Sequence, residues 1–364
     1  MSKPNCIELF TGAGGMMLGI EQAGFNSLFA NEIHSDPVKT LKRNFPAIPI
    51  IEGEIQNFSA SKLFELAGIN KKMMNHVDLI AGGLPCQGFS TAGLKDKTDP
   101  RNNLIGEYLR IFKEIQPRYF ILENVTGLKT LHNGKLHENI LFEIDKTGYQ
   151  FKDKVLYAPD YGVPQMRKRL IIIGSKNGKV PTHPEPSFSS DNKNLFNQNL
   201  PKYVTVSDAI NDLPQIQQGE SGVHYKSKPK SGYQQLMRKN YNGLITNHIA
   251  GKHRLKTMEY FSLIPPGGNV MDIPEELRKK KQGVQRWPLN GLSRTITTEP
   301  SDFLHPTIDR IPTIREMARI QSFPDNFEFL GQRTTGNKMR RLGYCAQSQQ
   351  VGNIENQVAS SSQS

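Results

Sequence analysis

Short apolar runs separated by polar turns recur through the first half of the chain. Residues 6–10, 27–30, 48–51, 77–81, 119–122 and 170–174 each have the length and composition of a buried strand. Between them the period changes to that of a helix. A helix is predicted to begin at Met16-Met17-Leu18. Another carries Leu104, Tyr108, Ile111, Phe112 and Ile115 on one face and stops at Pro117. Strands alternating with helices predict an α/β fold. After Gly174 the pattern fades. Residues 175 to about 287 are rich in Pro, Asn, Gln, Ser and Lys, which predicts a second domain of irregular and short β structure. Regularity returns at 293–298. A helix is predicted over 313–321, with Ile314, Met317 and Ile320 along one side. No internal repeat is visible.

The turns add candidate chemistry. Thr11-Gly12-Ala13-Gly14-Gly15 lies between the first strand and its helix, as in nucleotide-binding α/β folds. Met17 stands where a dinucleotide fingerprint has its third glycine, which argues against a pyrophosphate at this helix N-terminus. Glu32 follows Gly12 by twenty residues, the place where such folds keep an acid for ribose hydroxyls. The fourth strand leads into GGLPCQGFS (82–90). Its Cys86 would be a packing residue by the usual behaviour of cysteines, yet it sits in a glycine-rich loop. Glu123 ends the fifth strand. Every candidate is expected at or just beyond the C-terminal end of a predicted strand, where open sheets bind ligands.

The 364 residues suffice for two domains, and 36% hydrophobic with 22% charged residues fits a globular chain. No apolar run approaches the ~20 residues of a membrane span, and the N-terminus leaves no room for a signal peptide. Cys6, Cys86 and Cys345 are too scattered for a metal site or a disulfide framework, so a reducing, cytoplasmic compartment is expected. The formal charge of +12 favours a polyanionic partner. Residues 221–258 hold eight Lys/Arg and no Asp or Glu, with Tyr225, Tyr233 and Tyr241 interleaved.

Taken together, ELFTGAGGMMLG (8–19), NE (31–32), GGLPCQGFS (82–90), ENV (123–125), PQMRKR (164–169), SRTITT (293–298), REMARIQSFPDNF (315–327) and QVGN (350–353) resemble the cytosine-C5 DNA methyltransferase family, of bacterial restriction–modification type. The motifs follow the family's order, with its target-recognition gap between PQMRKR and SRTITT. The resemblance implies a Rossmann-like, S-adenosyl-L-methionine-dependent methyltransferase sheet with a smaller, mostly irregular/β target-recognition domain. The domains expected are 1–174 plus 290–353 for catalysis, 175–289 for DNA recognition, and a disordered tail at 354–364.

The resemblance also implies roles. Cys86 is the nucleophile that adds to cytosine C6, which makes C5 reactive, and the attacking form must be the thiolate. Glu123 holds N3, and Arg167 and Arg169 contact the flipped nucleotide. Phe10, Gly12, Ala13, Gly14, Gly15, Glu32, Ile33, Glu54, Ile55, Leu104 and Asn353 would surround S-adenosyl-L-methionine. Pro85, Gln87, Ser90, Asn124, Gln165 and Arg294 would shape the substrate loop and its supports. The cytosine must leave the duplex to be reached, so double-stranded DNA is the expected partner. No metal is expected. A monomer is expected, nucleoid-associated and working beside a restriction endonuclease.

The chain departs from the family pattern at three places. Glu8 and Glu54 replace aspartates. After QVGN, Ile354-Glu355-Asn356-Gln357 and a polar tail stand where an apolar stretch and a final helix are usual. Two alternatives therefore stay open: a catalytically impaired DNA- or cofactor-binding protein, and a tRNA cytosine-5 methyltransferase.

Overall fold

The first apolar run forms β1 (Asn5–Leu9), and the sheet grows from it in both directions. The structure is a computed structural model that describes residues 3–84, 104–176, 178, 181–190, 200–279, 283–297 and 300–331. The contacts divide these into two compact units. One takes the chain up to Tyr157 and then 168–185; the other takes 158–167 and the chain from Pro186 onward.

The first unit holds β1, α1 (Gly15–Gln22), β2 (Asn26–Glu32), α2 (Ser35–Asn44), β3 (Ile50–Glu52), α3 (Ala60–Leu66), β4 (Leu79–Gly83), α4 (Leu104–Ile115), β5 (Tyr119–Val125), α5 (Lys135–Asp145) and β6 (Gln150–Tyr157). A two-residue strand of the other unit, β7 (Gln165–Met166), precedes β8 (Lys168–Ser175). The seven-stranded sheet runs β3-β2-β1-β4-β5-β8-β6. From β3 to β5 the pairs are parallel. Strand β8 is antiparallel to both β5 and β6. Its start therefore lies at the edge where the parallel strands end, with Arg169 opposite Val125. Lys168 and Arg169 open their strand instead of ending one; for Arg169 the reversed direction does what a C-terminal strand end does for the others.

Helix α4 forms as its period predicts. It buries Ile105, Tyr108, Leu109, Ile111, Phe112 and Ile115 against the sheet, while Leu104 is only partly covered. Each buried side chain stabilises by roughly 1.5–3 kcal/mol relative to exposure. The Phe112 ring lies 5.2 Å from Phe120 and 4.6 Å from Tyr149, between α4 and the sheet. Two strands start later than predicted. The third forms at Ile50–Glu52 and the fourth at Leu79–Gly83, because Val77 ends a short 3-10 turn and the Asp78 carboxylate receives the Asn5 N–H at 2.8 Å.

The second unit holds α6 (Val206–Ile210), α7 (Gly232–Met237), α8 (Leu255–Ser262), β9 (Gln285–Arg286), β10 (Ser293–Arg294), β11 (Phe303–Leu304) and α9 (Ile314–Ile320). An apolar cluster of Tyr260, Phe261, Ile264, Val270, Ile273, Val284 and Leu304 forms one core. The other is ionic. Thr313 caps α9, and Arg315 and Arg319 on that helix are completely buried, as is Arg310 before it. Arg319 meets Asp325 at 2.5 Å and Asp212 at 3.0 Å, and Arg310 holds Glu316 through two bonds of 2.8 and 2.7 Å.

The expected boundary at 290 falls elsewhere in the contacts. Strand β10 pairs in parallel with β7, and α9 is tied to Asp212 and Ala209 at α6, so residues 290–331 pack with 186–289. Residues 354–364 lie outside the described chain. No helix among the described residues is long and apolar enough to cross a membrane.

Candidate active site

Three strand ends meet at one edge of the first unit. Asn31 braces them: its carbonyl accepts the Thr11 N–H at 3.1 Å, and its side-chain amide donates to Ile51 and Gly53 at 3.1 and 3.0 Å. The glycine turn after β1, the end of β2 and the turn after β3 are thereby fixed. Gly14 sits at φ 90°, and a Cβ there would meet Leu41 at 2.7 Å and Phe45 at 2.9 Å, so only glycine fits without a shift. Phe10 also has a positive φ, 57°, which is uncommon for a bulky side chain and marks a strained turn.

Glu32 is 6% exposed, and its two oxygens receive the N–H groups of Gly12 and His34, both at 2.8 Å. Burial raises its pKa, and those backbone donors pull the other way. Glu8, on the neighbouring strand, is 3% exposed, and neither carboxylate oxygen has a hydrogen-bond partner among the described residues. Burial, then the proximity of Glu32, pushes its pKa well above the usual carboxylate range. In the sequence Glu8 stands out only as a replacement of the family's aspartate, and Asn31 only as part of its NE motif.

The remaining cofactor candidates divide. Ala13 and Gly15 are buried in the turn, and Ile33 is 48% exposed just past β2. Glu54 is exposed and bonded to Gln56 at 2.6 Å, whereas Ile55 is a member of the apolar core. Leu104 opens α4, half-buried. Asn353 lies outside the described residues.

Two buried carboxylates beside a backbone turn, with no Lys or Arg partner among the described residues, suit a ligand that is cationic and carries hydroxyls. They repel a pyrophosphate. S-adenosyl-L-methionine, with its sulfonium, ammonium and ribose, fits that donor set.

On the next strands, Glu123 is 2% exposed near the end of β5, and its carboxylate meets the Arg169 guanidinium at 2.6 Å. Its backbone carbonyl accepts the Leu84 N–H at 3.2 Å, where the GGLPCQGFS loop leaves β4. Gly82 is required there: a Cβ would meet the Tyr108 ring at 2.7 Å. Tyr108 in turn donates to Ile121 at 3.2 Å. Asn124 turns its Oδ1 to the Val125 N–H at 2.8 Å and leaves its buried Nδ2 without a partner among the described residues. Pro85, Cys86, Gln87 and Ser90 lie outside the described residues.

The second unit brings other candidates together. Gln165 is fully buried and accepts the Ile296 N–H at 3.2 Å. Ser293 pairs with Gln165 and Arg294 with Met166, so SRTITT lies beside PQMRKR across more than a hundred residues of chain. Arg294 is exposed and Arg167 is 1% exposed. Arg167 falls in this unit and Arg169 in the other.

The basic stretch is less available than its composition suggests. Arg238 lies 3.6 Å over the Tyr225 ring and bonds Asp212 at 3.2 Å. Tyr225 donates to Asp325 at 2.6 Å, and Tyr233 is buried with its hydroxyl on Arg319 and Ser322. These three residues build the ionic core. The exposed cations are Lys226, Lys228, Lys230, Lys239, Lys252, Arg254 and Lys256.

Comparison with known proteins adds independent findings. The family described as C-5 cytosine-specific DNA methylase matches residues 4–358. The type II methyltransferase M1.HphI of Haemophilus parahaemolyticus is 37% identical over 353 residues, covering 95% of this chain and 82% of that protein. M.DdeI of Desulfomicrobium norvegicum is 34% identical over 373 residues, covering 96% and 85%. A solved structure described as a candidate DNA modification methyltransferase encoded within an E. coli prophage aligns with TM-score 0.73 and 26% identity over 97% of this chain and 99% of that one. The S. pombe Dnmt2 methyltransferase shares the fold, with TM-score 0.56 and 16% identity over 98% and 99%.

Proposed function

The chain belongs to the C-5 cytosine-specific DNA methylase family, and from that premise we propose how its residues divide the work. It is a DNA (cytosine-5-)-methyltransferase, and S-adenosyl-L-methionine, when bound, supplies an electrophilic methyl group. The Cys86 thiolate adds to C6 of an extruded cytosine, and electron density moves to C5. Glu123 holds the proton at N3, which keeps negative charge off the ring. Arg169 orients the Glu123 carboxylate. A base then takes the C5 proton, and the thiolate leaves. Glu32 receives the ribose hydroxyls, and Glu8 faces the cationic part of the cofactor. Arg167 contacts the flipped nucleotide together with Arg169, and Arg294 supports the second unit.

One observation carries this reading: the buried Glu123–Arg169 pair shares its strand position with the Leu84 N–H. Cys86 follows Leu84 by two residues, a reach of about 7 Å of extended backbone. The second unit would hold a DNA duplex through its lysines and read bases in the major groove. On this reading the enzyme acts as a monomer on the nucleoid, paired with a restriction endonuclease.

Bisulfite sequencing of DNA from cells expressing the chain should show one methylated sequence. Duplex carrying 5-fluorocytosine at that position should form a stable adduct with the intact chain. An adduct that survives Cys86→Ala would overturn the assignment of the nucleophile.

A further inference from the structure

Within the second unit, residues 219–223 and 245–250 form a two-stranded ribbon. Ser221 bridges Ile249 in antiparallel fashion, Gly222 N–H donates to His248 at 3.0 Å, and Ile245 N–H donates to Val223 at 2.9 Å. Gly222, Ile245, His248 and Ala250 are buried, while Glu220, Ser221, Val223 and Ile249 are exposed. Val223 is 43% exposed and Ile249 42%, and Leu244, next to the Ile245 that bonds Val223, is 55% exposed.

The inward side is locked. The His248 ring bonds Thr313 and Pro214, both at 2.8 Å. Arg315 bonds the Thr246 carbonyl at 3.1 Å and its hydroxyl at 3.0 Å, and its own N–H reaches Asn247 at 3.0 Å. The Asn247 side chain grips both backbone groups of Phe329, at 3.0 and 2.8 Å. A ribbon held this firmly presents three apolar side chains to solvent. Just beyond its first strand stand Lys226, Lys228 and Lys230, exposed and without an ion pair among the described residues. Of the nearby acids, Glu220 accepts the Gln217 N–H at 2.6 Å, and Asp212 and Asp325 are held by Arg238 and Arg319.

A rigid two-stranded ribbon has the width of the DNA major groove, and the one apolar group displayed there by an unmodified base is the thymine methyl. The flanking lysines match the phosphates. Resting on the reading of this unit as the DNA-holding one, we propose that the ribbon enters the major groove and that Val223, Leu244 and Ile249 contact thymine 5-methyl groups. The methylated site then contains at least one A·T pair at a fixed offset from the target cytosine.

The test starts from the site found by bisulfite sequencing. Duplexes of that site are made with uracil in place of each thymine in turn, which removes only the methyl. Binding to the full chain is followed by fluorescence anisotropy. At one or more positions uracil should raise Kd about fourfold, the worth of one methyl taken out of water. The double variant Val223→Ala/Ile249→Ala, with cofactor binding intact, should no longer distinguish thymine from uracil there. A site without thymine, equal Kd for thymine and uracil at every position, or full discrimination in the double variant would overturn the proposal. Failure to methylate any duplex would overturn the function itself, a result separable from equal binding of the two bases.

Discussion

Both units bury carboxylates, and they treat them in opposite ways. In the first, Glu32 sits at a strand end on two backbone N–H groups, Glu8 beside it has no hydrogen-bond partner among the described residues, and their pKa values rise. In the second, Asp212, Asp325 and Glu316 are wrapped by Arg310, Arg315, Arg319 and Arg238, and Glu316 falls far below the usual carboxylate range despite its burial. Burial is similar; counter-charge differs. A buried acid supplied with guanidinium is scaffold. A buried acid without a cation is a place prepared for one, and the ligand of this family is cationic.

The largest consequence concerns the scaffold. Arg319→Met leaves Asp212 and Asp325 buried together and should destabilise the protein by about 3–5 kcal/mol in chemical denaturation. A loss below about 1 kcal/mol would mean that the ion pairs are idle and would erase the contrast.

Next comes pH. Burial lowers the His305 pKa to about 4, against the pull of Glu316 and with help from Arg310, Arg286 and His248. The unfolded chain takes up that proton first, so stability should fall as pH drops from 6.5 toward 4, by up to about 2–3 kcal/mol. Below the ordinary carboxylate range Glu316 adds to the loss. The strand-end acids have the reverse sign: their raised values favour the fold in acid and cost stability as pH climbs through the ordinary carboxylate range toward their folded values. Hydrogen exchange at pH 5 and pH 8 should therefore shift the protection of the two units in opposite directions. His305→Gln should flatten the response of the second.

Glu8→Gln probes the cofactor side. It should weaken S-adenosyl-L-methionine about tenfold by calorimetry, the low end for a charge-assisted hydrogen bond, without lowering the stability of the ligand-free protein at pH 7. Unchanged affinity would remove Glu8 from the site. The smallest effect separates the two kinds of cation in the basic stretch. Lys228→Ala should reduce the slope of log affinity for DNA against log salt by about 1. Arg238→Met should act on stability instead, because its charge is spent on Asp212 and Tyr225.

Much of the first unit is written locally. The runs at 6–10, 27–30 and 119–122 and the helical face from Tyr108 to Ile115 become β1, β2, β5 and α4, because each buries a continuous apolar stripe. The direction of β8 is not local: Leu170-Ile171-Ile172-Ile173 is equally apolar either way, and only pairing with both β5 and β6 makes it antiparallel. In the site, Glu32 was legible from its distance to the glycine turn. Glu8 was not, since an acid inside an apolar run looks like an interruption. Helix α9 misled most. Ile314, Met317 and Ile320 suggested a single buried side, yet Arg315, Glu316 and Arg319 are buried as well, because their partners come from segments as far as 110 residues away.

The ten residues 158–167 leave β6 for the second unit and return to β8, while those two strands pair along their whole length. If the second unit is the one that recognises DNA, as proposed, its exchange between relatives cannot be a single cut and paste. The segment carrying Gln165 must travel with 186–331, since β10 finds its partner in it and Gln165 anchors Ile296. A chimaera that replaces only the long segment inherits a mismatched seam. Heritable changes of target sequence should accumulate in the exposed ribbon and lysines, where substitution costs the fold least, and spare the arginines beneath them.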